Sequence, residues 1–560
     1  MTEALVHRGP DSGGVTALGR CVLGHRRLRV VDLETGDQPA TNEAGDVVAV
    51  FNGELYDFRD VRRDLEARGH HVPGTGDTAV IPHVYEEHGI DFPTALSGMF
   101  AIAVWDRTRE RLLLARDRIG KKPLHYVQLL DGGLAFASEL KALFLVPGVV
   151  RELDPAALDA YLALQYVPGE DVGVGGIKRL APGHVLDWDR GRVHTRPFWE
   201  LMPTRRDLAE DEWLERVRES VTAAVRRRLV SDVPLGALLS GGIDSTIVVG
   251  LMAQESSEPV KTFTVGVDDP RYDEREHARI AARAFGTEHE ELVVQPDPVE
   301  LVSRLTGFLD EPLGDEAILP TLLISEVARR HVTVALTGDG GDESFAGYER
   351  YRAVGLARQI GRVPLAPKLA AGGLRALPSG RHPRSTAGRA ARLLETATLP
   401  APERYGSLVE VFPARLRDEL YEPAFAASLS PGGARAAGDL VAQSHQAPLG
   451  APPVSEIARL QLLDARTYLP DDLLVKADRA SMATSLELRS PLLDHEVVEL
   501  GVSLPDSLRF SGSRGKVALR RAFAHLVPKE LAERGKTGFG VPLGAWFRGS
   551  LRELAGDVLL

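Results

Sequence analysis

The stretch Leu238-Leu239-Ser240-Gly241-Gly242-Ile243-Asp244-Ser245-Thr246 constrains this chain more than any other. It reads as an apolar strand that runs into a glycine-rich, hydroxyl-flanked turn and then into a helix, Thr246 to Met252. Two adjacent glycines let main-chain N–H groups approach phosphate oxygens, the hydroxyls of Ser240 and Ser245 add donors, and the helix presents its positive end. A carboxylate beside a polyphosphate makes sense when a divalent cation lies between them, so Asp244 points to Mg-ATP. No lysine follows the second glycine, and the spacing therefore departs from the common P-loop.

The chain has 560 residues, 44% of them apolar, which is long for one core and argues for two domains or more. Residues 1 to about 195 carry short β-type runs, Asp46 to Phe51, Phe100 to Trp105, Arg111 to Ala115 and Leu134 to Ala137, as a sheet domain would. From about Asp211, helical patterns alternate with the apolar runs Gly236 to Leu239, Val260 to Val267, His289 to Val294 and Val332 to Thr337. That alternation predicts a parallel sheet with helices on its faces. The boundary is expected in Met202 to Asp207, giving domains 1–200 and 205–560. The Pro/Ala/Gly/Arg-rich sections Val363 to Pro400 and Pro448 to Pro453 read as loops or connections.

A net charge of −12 and a pI near 5.8 leave no basic footprint for nucleic acid. No run of about eighteen apolar residues offers a membrane span. The polar start, Met1-Thr2-Glu3, is unlike a signal peptide, and a cytoplasmic location is expected. Cys21 is the single cysteine, which excludes an intrachain disulfide and a cysteine-based metal site.

Three more segments connect to the glycine-rich turn by chemistry. Thr337-Gly338-Asp339-Gly340-Gly341-Asp342-Glu343 again follows an apolar run and crowds three acids into five residues. Acids held this close repel one another, so a cation or a raised pKa accompanies them. Asp342 is the expected second magnesium ligand beside Asp244, and Asp339 the acid/base or substrate-orienting candidate. Lys476 and Arg479 stand next to the segment Glu487 to Asp494, and a fixed cation there would stabilise charge building on an α-phosphate. Glu487 and Arg489 read equally well as a salt-bridged surface helix. Gly515-Lys516 and Lys536 to Pro542 offer further cations.

Ser240 to Ser245 resembles the SGGxDS loop of ATP pyrophosphatases. With Thr337 to Glu343, Asp310-Glu311-Pro312 and Lys476 to Asp494, it looks like the synthetase domain of the glutamine-hydrolysing asparagine synthetase family. The resemblance implies that ATP adenylates the side-chain carboxylate of aspartate and that ammonia displaces AMP. It assigns pyrophosphate binding to Ser240, Gly241, Gly242 and Ser245, with Gly338 beside them, and magnesium binding to Asp244 and Asp342. Leu239 and Val267 would border the adenine, and Asp339 stands where the family has its general base. Which of Lys476 and Arg479 faces the phosphate stays open.

The ordered set His7-Arg8-Gly9-Pro10-Asp11, Arg27-Leu28, Asn52-Gly53-Glu54 and Gly76-Asp77 resembles the class II glutamine amidotransferase domain. By that resemblance Arg27 binds the glutamine carboxylate, Asn52 and Gly53 supply the oxyanion hole, and Glu54 and Asp77 hold the amino group. The implied architecture is α/β with two domains. An N-terminal αββα sandwich of the N-terminal-nucleophile type, incomplete at its start, precedes a C-terminal doubly wound parallel sheet of the ATP pyrophosphatase type. Many relatives are dimers, so the resemblance allows a homodimer and the oligomeric state stays open.

One departure bears on the nitrogen source. The family nucleophile is an N-terminal cysteine whose own amine is its base, whereas this chain begins Met1-Thr2, six residues before His7. Cys21 lies in an apolar run, Cys21-Val22-Leu23, that reads as a buried strand. Either the true start lies upstream, which the retained pocket residues favour, or the chain takes free ammonia or another amine. The competing expectations are an amide-forming cyclase of the β-lactam synthetase or lasso-peptide cyclase type, and a non-catalytic nucleotide-binding scaffold.

Overall fold

The computed structural model describes residues 1–266, 269, 273–293, 297–362, 366–376, 385–429, 433–442, 454–512, 514–534 and 540–559. In the first 200 residues the largest element is a six-stranded antiparallel sheet. Its strands are β3 (Ala40–Thr41), β4 (Val47–Leu55), β5 (Gly98–Asp106), β6 (Arg111–Arg116), β10 (His184–Asp189) and β11 (Arg192–Pro197), in the order β11-β10-β6-β5-β4-β3. The predicted runs at 46–51, 100–105 and 111–115 fall on β4, β5 and β6.

Both faces of this sheet are buried, and the period-two alternation of strand side chains sorts them cleanly. Val47, Ala49, Phe51, Ile102, Val104 and Leu113 pack against helices α1 (Phe58–Ala67) and α2 (Ile81–His88). Val48, Val50, Ala101, Ala103, Leu112 and Leu114 pack the other way, onto Leu23, Leu124, Tyr126 and Leu180. That second layer comprises a two-stranded ribbon, β1 (Ser12–Leu18) with β2 (Cys21–Arg27), and a three-stranded sheet of β7 (His125–Gln128), β8 (Leu134–Ala137) and β9 (Ile177–Arg179). Leu140, Ala142 and Leu143 of a short helix cover its outer side. The layers therefore run helix, sheet, sheet, helix.

Residues 201–209 are irregular and lead into α3 (Glu210–Arg227). Beyond it stands a parallel sheet of β12 (Leu235–Leu238), β13 (Lys261–Gly266), β14 (Glu288–Val293), β15 (Val334–Leu336) and β16 (Glu487–Arg489). The order is β14-β13-β12-β15-β16. Helices cover both faces. α3 and α4 (Ile243–Glu255) bury Val217, Val221, Ile247 and Val248 with Ala237 and Leu336 on one side. α5 (Ile318–Arg329) buries Leu319, Leu322 and Val327 with Phe263 and Ala335 on the other.

Glu487 and Arg489 do pair, at 2.8 Å, but on a buried edge strand rather than a surface helix. β16 is only three residues long, too short for periodicity to separate the alternatives. Within Val363 to Pro400 the structure has two helices, Ala366–Ala376 and Thr386–Thr396, where loops were expected. Alanine and leucine there outweigh the glycine and proline punctuation. Pro448 to Pro453 lies outside the described residues.

Candidate active sites

The strand order reverses between β12 and β15, which are neighbours while their following strands lie on opposite flanks. In an open α/β sheet the crevice beyond the carboxyl ends of such strands is where ligands bind. Both glycine-rich turns emerge there. Ser240 and Ser245 face each other across the first, with their hydroxyls 3.1 Å apart, and the Gly242 N–H donates to Ser240 Oγ at 3.2 Å. Gly242 caps α4, so the helix begins within the turn rather than at Thr246. Leu239 is buried at the strand end. Gly241 takes φ +68° against His277, where a side chain would collide with backbone.

The second turn presses onto the first. A Cβ at Gly338 would lie 2.6 Å from Ser245 N, and one at Gly341 would lie 2.5 Å from Asp244 Cγ. Only glycine allows this approach, and it brings Asp244 and Asp342 to one cation. Lys516 Nζ lies 2.8 Å from Asp342 Oδ1 and hydrogen-bonds Asp244 Oδ2. Burial alone would lower the Lys516 pKa, but the two carboxylates override it and raise it. Two carboxylates close enough to share one ammonium form an all-oxygen, doubly negative pair. Such a pair fits a hard divalent ion such as Mg²⁺.

Asp339 is exposed at the mouth, accepting from Thr337 Oγ1 at 2.9 Å. Lys476 and Arg479 share α6 (Leu474–Met482) but have different surroundings. Lys476 Nζ donates to Asp315 at 2.7 Å. Arg479 is enclosed by Glu311 at 2.9 Å, Glu139 at 3.3 Å and Asp310 at 3.4 Å, and it also donates to the Ser138 carbonyl at 3.2 Å. Val267 and the stretch Lys536 to Phe539 lie outside the described residues. The Lys516 contact and the Arg534 donation to the Ser240 carbonyl at 3.0 Å carry no local motif. Their partners are 272 and 294 residues away in sequence.

In the N-terminal half, Arg27, Asn52, Gly53, Glu54 and Asp77 all line one cavity of about 740 Å³. Arg27 is held at the end of β2 by Asp37 at 2.8 Å and the Asp32 carbonyl at 2.5 Å. Gly53 has φ +146°, and a Cβ there would stand 1.9 Å from Met99 O, so strand β4 passes β5 only with glycine at this point. Asn52 Nδ2 donates to Ser138 Oγ at 3.4 Å, and Asp77 Oδ2 accepts the Leu55 N–H at 2.9 Å. Burial pushes the Asp77 carboxyl up to about 6. Burial and then Glu487 hold Glu54 well above the usual range, against the pull of Arg489 at 3.3 Å.

Glu487 and Met482 also line this cavity, so it is shared with the second half of the chain. Buried ion pairs join the halves around it. Arg8 binds Asp478 at 2.6 Å and Glu139 at 2.8 Å, and Arg179 binds Glu311 at 2.6 Å and Asp471 at 2.7 Å. Cys21 opens strand β2 but is half-buried rather than fully buried, because the two-stranded ribbon is covered on one side only. Burial pushes its thiol up to about 12, which leaves it protonated at neutral pH.

Two family models match the chain. That described as asparagine synthase covers residues 216–560, and that described as glutamine amidotransferase domain covers residues 1–199. Asparagine synthetase [glutamine-hydrolyzing] 1 of Bacillus subtilis (strain 168) is 32% identical over 565 residues, spanning 100% of this chain and 86% of that protein. Asparagine synthetase [glutamine-hydrolyzing] 3 of the same organism is 29% identical over 561 residues, spanning 96% and 83%. Amidase chry2 of Gibberella zeae is 29% identical over 618 residues, spanning 100% and 86%.

Proposed function

The chain belongs to the asparagine synthase family of ATP-using ligases, and from that membership we propose that it converts aspartate to asparagine through an acyl-adenylate. The observation that carries this reading is the meeting of Asp244, Asp342 and Lys516 at the strand reversal. In this reading Ser240, Gly241, Gly242 and Ser245 hold the pyrophosphate part of ATP, with Gly338 backing them and Leu239 bordering the adenine. Asp244 and Asp342 would hold Mg²⁺, which would supply charge neutralisation at the phosphates.

The aspartate side-chain carboxylate attacks the α-phosphorus, a new P–O bond forms, and the bond to the β-phosphate oxygen breaks to release pyrophosphate. Lys476 stabilises the charge that builds on the α-phosphate, since its partners Asp315 and Asp472 keep it protonated in spite of burial. Ammonia then attacks the acyl carbon, AMP leaves with the bonding pair, and Asp339 takes the proton. Arg479, fully engaged between the halves, acts as a positioning residue.

Arg27, Asn52, Gly53, Glu54 and Asp77 form the glutamine pocket in this proposal. Burial pushes the Cys21 thiol up to about 12, so we propose that this thiol does not release ammonia from glutamine and that ammonium serves as the nitrogen source. Among the described residues no helix is long and apolar enough to cross a membrane. We place the reaction in the cytoplasm, with a homodimer as the assembly.

The test is aspartate-dependent pyrophosphate release with Mg-ATP, using ammonium and then glutamine. Asparagine from ammonium alone supports the whole reading. Asparagine from both sources removes the part concerning nitrogen. Pyrophosphate release that does not depend on aspartate under either condition overturns the acceptor.

A further inference from the structure

On the outer, helix-covered side of the six-stranded sheet four side chains converge that the amidation chemistry does not use. Glu43 sits in the turn between β3 and β4, His70 follows α1, and His83 and Glu86 lie one turn apart on α2. We propose that Glu43, His70, His83 and Glu86 form a binding site for a divalent transition metal, with zinc the ion their donor set fits.

The geometry carries the proposal. One ligand atom from each residue can be chosen so that all lie within 4.8 Å of one another. His83 Nδ1 is 3.3 Å from Glu43 Oε2 and 3.6 Å from Glu86 Oε2. His70 Nδ1 is 3.6 Å from Glu43 Oε1 and 3.8 Å from Glu86 Oε2. Donors bound tetrahedrally to zinc at about 2.0–2.1 Å stand about 3.3–3.4 Å apart, so the nearer pairs are already at that spacing and the wider ones, up to 4.8 Å, would close onto the ion. Two neutral imidazoles and two carboxylates would balance the charge of the ion.

His83 supplies an independent sign. It is 0% exposed, yet neither ring nitrogen makes a hydrogen bond, and Nδ1 lies within 3.6 Å of both carboxylates. A buried polar group is ordinarily satisfied, and a metal would satisfy this one. Outer partners also orient the donors. His70 Nε2 lies 3.1 Å from Glu87 Oε1, and a proton held there leaves the inward Nδ1 lone pair free. Asn42 Nδ2 donates to Glu86 Oε1 at 2.9 Å, and the His71 N–H donates to Glu43 Oε1 at 2.7 Å.

The ion would join the β3–β4 turn, the segment after α1 and α2. Asp77 ends the turn that leads directly into Thr78–Val80 and α2, so metal binding would stiffen the support of one cavity residue.

The experiment strips the full chain with chelator and titrates Zn²⁺ against a chromophoric competitor without nucleotide, comparing wild type with His70→Ala and Glu86→Gln. Both side chains reach solvent, so folding is expected to survive, and circular dichroism checks it. Taking the difference cancels any metal held at Asp244 and Asp342. We expect one zinc more per wild-type chain, or at least about a tenfold weaker constant in each variant. Co²⁺ in its place should show tetrahedral visible absorption that both variants lose. Equal zinc stoichiometry and affinity in the three folded proteins, or cobalt spectra that do not differ, would overturn the proposal.

Discussion

Gly341 packs so close to Asp244 that a Cβ at that position would stand 2.5 Å from the aspartate Cγ. The two glycine-rich turns are thus one unit, with the second forming the wall that aims the carboxylate of the first. Gly341→Ala is expected to swing Asp244 out of its alignment with Asp342 while leaving both cores intact. Aspartate-dependent pyrophosphate release should fall at least about 100-fold, the scale of losing a preorganised electrostatic contact. Activity within a few-fold of wild type would show that the alignment is not needed.

Lys516 is the ammonium that Asp244 and Asp342 share. Lys516→Gln removes the charge and leaves two close carboxylates facing each other, so the half-saturating Mg²⁺ concentration should fall while turnover drops. A magnesium titration of the variant against wild type reads both effects. An unchanged magnesium dependence would separate Lys516 from the metal site.

Arg479 and Lys476 should fail in different ways. Arg479→Ala leaves Glu139 with Arg8 and Glu311 with Arg179 but takes the cation from Asp310 and removes one positive charge from a buried cluster, which costs about 3–5 kcal/mol for a broken buried pair. A lowered thermal midpoint is expected. Lys476→Ala should retain more of its stability and lose turnover, because burial already holds the Asp472 carboxyl well above the usual range and lets it take up a proton. Parallel melting and pyrophosphate assays distinguish the two, and an undiminished midpoint for Arg479→Ala would contradict the structural role.

The Asp77 carboxyl titrates at about 6 in the folded chain because burial disfavours its charge, against an ordinary value of 3.8. Between these values the folded state holds a proton that the unfolded state has lost, so this group's contribution falls as pH rises from about 4 to about 6. A difference of about 2 pH units corresponds to about 3 kcal/mol. Asp77→Asn keeps the acceptor for the Leu55 N–H and removes the ionisation. The variant should therefore match wild type near pH 4 and be the more stable of the two near pH 7. Urea midpoints across that range test the sign.

Much of the synthetase site is legible in the chain because its pieces are contiguous. A turn such as Ser240 to Ser245 makes its own hydrogen bonds, Ser240 to Ser245 and Gly242 to Ser240, within five residues. The strands on either side announce themselves by apolar runs, and β4, β5 and β6 by alternation across a sheet buried on both faces. By contrast, Glu487-Leu488-Arg489 is too short to declare its period, and its place beside β15 depends on residues about 150 positions earlier. The Glu43, His70, His83 and Glu86 cluster was silent for the same reason, being drawn from three separate elements.

The sequence by itself determined a strand-rich first part, an alternating helix–strand second part and the glycine-rich turns, since these rest on local backbone preference and hydrophobic period. Tertiary structure alone decided which charges meet. It put Lys516 between Asp244 and Asp342, enclosed Arg479 among carboxylates, and opened the N-terminal cavity onto Glu487 of the other half. The reason is physical. Burial makes a charge depend on whichever opposite charge folding brings within a few ångströms, and separation along the chain carries no record of that distance.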